Sequence, residues 1–196
     1  MKPSTSLMIN QMSNHLQKSS DLKKQLASDE HFNKVFSEMG KAMSDALKAG
    51  HKILIAGNGG SASQSQHFAA ELVGRYKLDR APQAAISLAA DVATITSLSN
   101  DFGYEKVFSK QVEALSAPKD IFLGLSTSGN SANIVEALKT AHSLGIQCFG
   151  LVGNDGGLMR GLCDMALIIP ESDTPLIQEV HLSVLHMWAD MIEQSL

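Results

Sequence analysis

The sequence is poor in cysteine, in aromatic residues and in charge, and it has no long apolar run. Only two cysteines occur in 196 residues, Cys148 and Cys163, both inside apolar stretches. Two thiols so placed form no zinc-binding spacing and read as reduced, buried small hydrophobes. No Lys/Arg cluster stands out and the formal net charge is -4, which argues against nucleic acid, because binding a phosphate backbone needs a basic face. A small anion is not excluded, since backbone amides and hydroxyls bind phosphate without a basic surface. No apolar stretch approaches the length of a membrane span. Met1-Lys2-Pro3-Ser4-Thr5-Ser6 leads into polar helical sequence rather than a signal core. A cytoplasmic location is therefore expected, with neither nucleic acid nor membrane as partner. What is there, 44% hydrophobic and 18% charged residues, is an ordinary globular composition, and the length suits one domain with a substantial core.

The first fifty residues predict helices. Leu7, Met8, Met12, Leu16 and Leu22 recur at roughly helical spacing, with Ser20 or Asp21 as a possible helix start. A second segment from about Asp29 to Ala49 puts Phe32, Val35, Phe36, Met39, Met43 and Leu47 on one face, and Gly50 closes it as a C-cap. This segment, 1–50, has no sheet of its own to cover, so it is expected to pack on the following domain, 51–196, or on another subunit, within one structural domain.

From Lys52 short apolar runs alternate with helical stretches. The strand candidates are Ile53–Ala56, Ala84–Leu88, Ile121–Leu125, Cys148–Val152 and Ala166–Ile169. Helices are predicted at Ser63–Val73, Asp91–Leu98, Glu105–Ala114, Ser131–Leu144, Leu158–Leu162 and about Pro175–Gln194. Continuous apolar strands separated by helices predict an α/β fold, a five-stranded parallel sheet covered on both faces. Ligands of such sheets bind at the carboxyl ends of the strands.

Three strand ends carry loops of small residues: Gly57-Asn58-Gly59-Gly60-Ser61, Ser126-Thr127-Ser128-Gly129-Asn130-Ser131 and Gly153-Asn154-Asp155-Gly156-Gly157. Glycines let the backbone turn sharply and approach a ligand, and the amides of the next helix start face it. In the second loop Ser126, Thr127, Ser128 and Ser131 supply four hydroxyls, where helix capping needs one. That excess favours a phosphate cradle. Gly57, Gly59 and Ala62 also match a dinucleotide fingerprint. The acidic residue such a site needs at the end of the second strand is missing, since Asp79 comes before that strand and Asp91 too late. Phosphosugar binding is the better reading.

His67 and Glu71 stand four residues apart on the helix after the first loop, a spacing that presents two ligands to one metal or a base beside a metal ligand. On the last helix Gln178, Leu182 and His186 form a row of i+4 steps. Alone, that row is compatible with surface decoration, and His181 on another side suggests that this helix tolerates histidine casually.

Together, Gly57-Asn58-Gly59-Gly60-Ser61, His67-Phe68-Ala69-Ala70-Glu71-Leu72, Asn100-Asp101-Phe102-Gly103, Ser126-Thr127-Ser128-Gly129-Asn130-Ser131-Ala132-Asn133 and Ile177-Gln178-Glu179-Val180-His181 resemble the phosphoheptose isomerases of the sugar isomerase (SIS) family, from about Gly50 to the C-terminus. The resemblance implies conversion of sedoheptulose 7-phosphate to a glycero-manno-heptose 7-phosphate, towards bacterial surface heptose. It implies zinc held by His67, Glu71, Gln178 and His186. Ser61, Ser126, Thr127, Ser128 and Ser131 would hold the phosphate beside Gly59 and Gly60, and Asn58, Asp101 and Gln178 would contact substrate. It also implies a homotetramer with active sites between subunits, so that the four metal ligands need not come from one chain. Pro175 departs from the pattern, standing where some relatives carry a sugar-contacting Asp.

Ketose–aldose interconversion moves a proton between adjacent carbons through an enediol, and it needs a base, an acid and stabilisation of the developing charge. Glu71 is the expected base, His186 the partner acid/base, and zinc the Lewis acid. Two rivals are a non-catalytic SIS adaptor that binds the replication initiator and an isomerase of another sugar phosphate. Retention of both Glu71 and His186 favours the enzyme.

Overall fold

The computed structural model of the chain describes residues 5–196; Met1–Ser4, on which part of the N-terminal reading falls, lie outside the described residues. Strands β1 (Ile53–Ala56), β2 (Ala85–Ser87), β3 (Ile121–Ser126), β4 (Gln147–Gly153) and β5 (Met165–Ile169) form one sheet in the order β2-β1-β3-β4-β5. Every pair is parallel, with Ile53 opposite both Ala85 and Ile121, and Leu151 opposite both Leu125 and Leu167. This is the expected five-stranded α/β architecture.

The continuous apolar runs are explained by burial on both faces. Successive side chains alternate between them. Ile53, Ile55, Leu123, Leu125, Phe149 and Leu151 join one core cluster, while Leu54, Ala56, Phe122, Cys148 and Val152 join the other. Helices α1 (Thr5–Ala27), α2 (Glu30–Lys48), α3 (Gly60–Val73) and α7 (Thr174–Ser195) supply the first cluster, and α5 (Ser109–Leu115) and α6 (Ala132–Ser143) supply the second. Helix α4 (Val92–Phe102) buries none of its residues. Cys148 is buried and Cys163 half-buried, both free, and burial pushes each thiol up to about 12, so both stay protonated and inert.

Helix α2 follows the predicted stripe: Met39, Met43 and Leu47 are buried, and Phe32, Val35 and Phe36 pack against the same core. Asp29 caps it by accepting from Phe32 N at 2.9 Å. At its other end Gly50, with φ +83, lets Gly50 N reach Leu47 O and His51 N reach Ala46 O, both at 3.0 Å, a Schellman closure. Trp188 of α7, fully buried, joins this layer to the sheet; its Nε1 donates to Phe36 O at 3.0 Å and its ring stacks on Phe36.

Several boundaries differ from expectation. Helix α1 is continuous from Thr5, with no break at Ser20 or Asp21, because Ser19 turns inward to donate to Glu179 rather than capping a new helix. The first half of α1 leaves Leu7, Met8, Ile9, Met12 and Leu16 about half exposed. Helix α3 starts at Gly60, three residues before the predicted Ser63. The predicted Glu105–Ala114 helix is divided into a 3₁₀ turn, Tyr104–Lys106, and α5, and Leu158–Leu162 is a 3₁₀ turn, Gly157–Gly161. Pro175 lies in the first turn of α7, where its missing N–H has no partner to lose.

His181 is not a casual surface residue. It is fully buried, and neither ring nitrogen completes a hydrogen bond. Burial, offset only slightly by the backbone of Val152, lowers its pKa to about 4. The unfolded chain therefore binds a proton near pH 6.5 that the fold rejects until about pH 4. His181 thus leaves stability intact above pH 6.5 and subtracts from it progressively as pH falls through that window, by about 3 kcal/mol in all. Urea unfolding at pH 7 and pH 4.5 should show a smaller loss for His181→Leu than for the parent chain. Parallel pH profiles would refute the assignment.

Candidate active site

The two loops at the carboxyl ends of β1 and β3 differ in how they meet their helices. Gly59, at the start of α3, has no side chain with which to cap it. Ser131 occupies the N-cap position of α6 but makes no side-chain capping bond. Its hydroxyl turns instead to Ser126 Oγ at 2.9 Å, and Ser128 Oγ lies 3.5 Å from the same oxygen. Ser126 Oγ also accepts from Gly129 N at 3.1 Å, and Ser128 Oγ from Asn130 N at 3.1 Å. Three of the four predicted hydroxyls therefore converge at a helix start whose first amides are not taken by a cap, an arrangement suited to a phosphomonoester. Thr127 contributes its carbonyl to this framework, accepting from Asn154 Nδ2 at 2.9 Å.

The third loop supports the second. Gly129, with φ +67, approaches so closely that a Cβ there would lie 2.1 Å from Gly156 O. Met159 N donates to Gly129 O and Leu158 N to Asn130 Oδ1, both at 3.0 Å. The Gly153–Gly157 stretch thus acts as a brace.

In the first loop, Asn58 is tied across the sheet edge. Asn58 Nδ2 donates to Asn133 Oδ1 at 2.8 Å, Asn133 Nδ2 donates back to Asn58 Oδ1 at 2.9 Å, and Tyr104 Oη donates to the same oxygen at 2.8 Å. Only one amide hydrogen of Asn58 remains free for a ligand. Asn133 and Tyr104 were not among the expected site residues; their partner is 75 and 46 residues away in sequence, and no local spacing signals such a contact. Asp101, at the exposed end of α4, accepts from Asn100 Nδ2 at 2.8 Å. Ser61 is buried in the first turn of α3, its backbone N donating to Asn58 O at 2.9 Å.

Helices α3 and α7 run side by side in the same sense. At one end Gln64 Nε2 donates to Gln178 O at 2.7 Å, and the Gln178 amide fills the space beside Gly60, where a Cβ would meet its Nε2 at 2.5 Å. Two turns further along, His67 Nε2 and His186 Nε2 face each other at 2.8 Å, and Glu71 Oε1 lies 3.4 Å from His67 Nε2. Donor atoms of His67, Glu71 and His186 all fall within 4.8 Å of one another, in a half-buried group. Ser63, Gln64 and Leu182 join the two histidines around an open pocket of about 330 Å³.

Two neutral imidazoles facing each other through Nε2 need a proton or a cation between them, since their lone pairs repel. A tetrahedral ion bound at ~2.0–2.1 Å spaces its donors roughly 3.3 Å apart. The observed 3.4 Å lies close to that spacing and the 2.8 Å is shorter than it, while His₂Glu with an open position is a zinc-type donor set. Gln178 stands eight residues before His186 on α7, ~12 Å of rise along the helix, with its side-chain amide beside Gly60.

The Asn58–Asn133 pair yields a direct expectation. Asn133→Ala removes two of the three side-chain hydrogen bonds of Asn58 and should cost about 1–3 kcal/mol. The measurement is urea unfolding together with hydrogen exchange of the Gly57–Ser61 amides. Unchanged exchange there would show that the pair does not hold the loop.

Residues 12–153 match the profile of the SIS domain. Among similar sequences are the phosphoheptose isomerases of Aliarcobacter butzleri, 46% identical over 186 residues (91% of this chain, 98% of the relative), and of Helicobacter pylori, 53% identical over 150 residues (76% and 78%). Among solved structures, phosphoheptose isomerase GmhA from Neisseria gonorrhoeae superposes with a TM-score of 0.89 at 36% identity, covering 95% of this chain and 99% of that one. The phosphoheptose isomerase from Francisella tularensis gives 0.88 at 34%, covering 95% and 98%. With this fold, this arrangement of loops and these relatives, the chain belongs to the SIS domain family and, within it, to the phosphoheptose isomerases.

Proposed function

We propose that the chain converts sedoheptulose 7-phosphate to D-glycero-D-manno-heptose 7-phosphate through an enediol, with zinc bound by His67, Glu71 and His186. The observation that carries the reading is the convergence of those three side chains within 4.8 Å. A ketose is deprotonated at the carbon beside its carbonyl, and the same proton, or one from solvent, is returned to the neighbouring carbon. Glu71 takes the proton from carbon. His186 moves the proton between the two oxygens. Zinc, when bound, supplies Lewis-acid polarisation of the carbonyl. Glu71 cannot be a fully engaged ligand and a free base at once, so its hold on the metal is weak or transient.

Ser61, Ser126, Thr127, Ser128 and Ser131, with the backbone of Gly59 and Gly60, bind the phosphate. The free amide hydrogen of Asn58, together with Asp101 and Gln178, contacts the sugar. We place Gln178 as the fourth zinc ligand of a neighbouring copy's site, a reading supported by its separation from His186 along α7. That arrangement calls for a homotetramer with active sites between subunits, and the half-exposed apolar residues of α1 and the unburied α4 are suitable interface material. In this reading residues 51–196 are the sugar-phosphate-binding unit and 1–50 the packing segment. The enzyme works in the cytoplasm towards lipopolysaccharide heptose. Among the described residues no helix is long and apolar enough to cross a membrane.

Purified protein should turn over sedoheptulose 7-phosphate, lose that activity on chelation and regain it with zinc. Glu71→Gln should lower turnover by roughly 10²-fold or more while phosphosugar binding stays measurable by calorimetry. Near-parental turnover by Glu71→Gln would sink its assignment as base. No turnover by folded parent protein, with or without zinc, would shift the reading to an adaptor or to a different phosphosugar.

A further inference from the structure

One buried ion pair lies outside the machinery described so far and touches it at both ends. Arg80 and Glu193 are 8% and 1% exposed at their side chains, with Arg80 Nε 3.4 Å from Glu193 Oε1. Arg80 Nη2 donates to the backbone carbonyl of Glu71 at 2.7 Å, and Nη1 to those of Leu72 at 2.7 Å and Gly74 at 3.1 Å. These carbonyls belong to the last turn of α3 and its C-cap, where a helix leaves carbonyls without intrahelical donors; Leu72 O also accepts from Gln83 N at 3.0 Å. A cation there also suits the helix dipole. Glu193, near the end of α7, accepts from three consecutive amides: Tyr76 N at 3.3 Å, Lys77 N at 2.8 Å and Leu78 N at 2.8 Å. Burial opposes its charge, but the three amides and Arg80 hold its carboxyl below the usual range.

The segment clamped in this way carries Tyr76, whose ring stacks on His186 with centroids 5.9 Å apart and planes 24° from parallel. His67 meets the same imidazole edge-on, at 5.0 Å and 76°. The His186 ring is therefore held between the face of Tyr76 and the edge of His67, a geometry that restricts its rotation. A buried ion pair is weak evidence for stability, because desolvation offsets its attraction, and its better-attested use is to specify one conformation. Here the conformation specified is that of the loop after α3.

We propose that the Arg80–Glu193 pair is the positioning unit of the His67–Glu71–His186 cluster, fixing the turn of α3 that bears Glu71 and holding Tyr76 against His186 so that its Nε2 stays aimed at His67. Tyr76, Arg80 and Glu193 are positioning residues and touch no substrate. The proposal rests on the reading of His186 as a site residue given above, but the ring orientation it predicts is independent of zinc and of turnover.

Removing one partner of a buried pair is strongly destabilising, so the decisive variants are made at Tyr76, whose ring is the last link. Tyr76→Leu keeps bulk and loses the aromatic face; Tyr76→Phe keeps the face and loses the hydroxyl. The first readout is the ¹⁵N–¹H spectrum of the His186 imidazole in metal-free protein, assigned by comparison with His186→Gln. One ordered tautomer is expected in the parent and in Tyr76→Phe, and averaged signals in Tyr76→Leu. The second is calorimetric zinc affinity, expected to fall roughly ten-fold in Tyr76→Leu and to recover in Tyr76→Phe, the scale seen when a partner of a metal ligand is removed. In steady state kcat should fall with KM within about two-fold. A His186 spectrum unchanged by Tyr76→Leu overturns the proposal, as does a loss in Tyr76→Leu that Tyr76→Phe fails to restore. If the parent binds no zinc, the metal reading fails by itself and the imidazole spectrum still decides the positioning role.

Discussion

Parallel strands impose the constraint on which the rest of this molecule depends. Each strand must be followed by a crossover that returns the chain to the same starting edge, so every carboxyl end emerges at one edge of the sheet. Backbone bonds within the sheet are satisfied by the neighbouring strands; those of the loops at that edge are not, and this is where Gly57–Ser61 and Ser126–Ser131 lie. Burial on both faces leaves the strand side chains no freedom to carry chemistry except at the very end, where Ser126 closes β3. The reactive groups therefore sit on loops and on helices α3 and α7. Trp188 and its neighbours lock α7 to the sheet and to α2, and the rigidity of that layer is inherited by His186, two residues before Trp188 on the same helix.

Much of the fold was legible in the sequence because its signals are local. Ile53–Ala56 and Ile121–Leu125 announce themselves as unbroken apolar runs, and the stripe from Phe32 to Leu47 has helical spacing. Boundaries failed where a tertiary partner overrode a local cue. Ser20 and Asp21 look like a helix start, yet the neighbouring Ser19 is engaged by Glu179 far along the chain, and α1 runs straight through. The division of 105–114 into two short helical pieces likewise has no periodic signature.

The candidate site was legible in the same uneven way. His67 and Glu71 stand on one helix, and their spacing alone brings them together. His186 reaches them only through the packing of α3 on α7, 119 residues apart in sequence, and it was the family resemblance that joined them. The Asn58–Asn133–Tyr104 tie and the Arg80–Glu193 clamp were invisible, since each member is an ordinary polar residue until its partner is known. His181 was misread for the opposite reason: a histidine in an amphipathic helix resembles surface decoration unless the face it occupies is known to be buried.

The treatment of helix starts shows where stability gives way to another demand. Helices α2 and α4 are capped by Asp29 and Asp91, the latter accepting from Ala93 N at 3.0 Å and Thr94 N at 3.3 Å. Helices α3 and α6, which follow the two small-residue loops, forgo this although Ser131 stands in position to provide it. A Ser cap contributes about 1 kcal/mol, and its hydroxyl here is turned to Ser126 instead. Leaving the first amides of α6 unfilled beside three converging hydroxyls is unfavourable for the free chain and favourable for an anion that fills the gap. That unused capping position supports the phosphate site proposed above, although Asp173 at the start of α7 also makes no side-chain cap. The same logic applies at the other end of α3, where Arg80 satisfies the last carbonyls and ties the turn bearing Glu71 to the loop that supports His186. The helix is thus open to an anion at its start and closed by a buried cation at its end, with the proposed metal and base groups between.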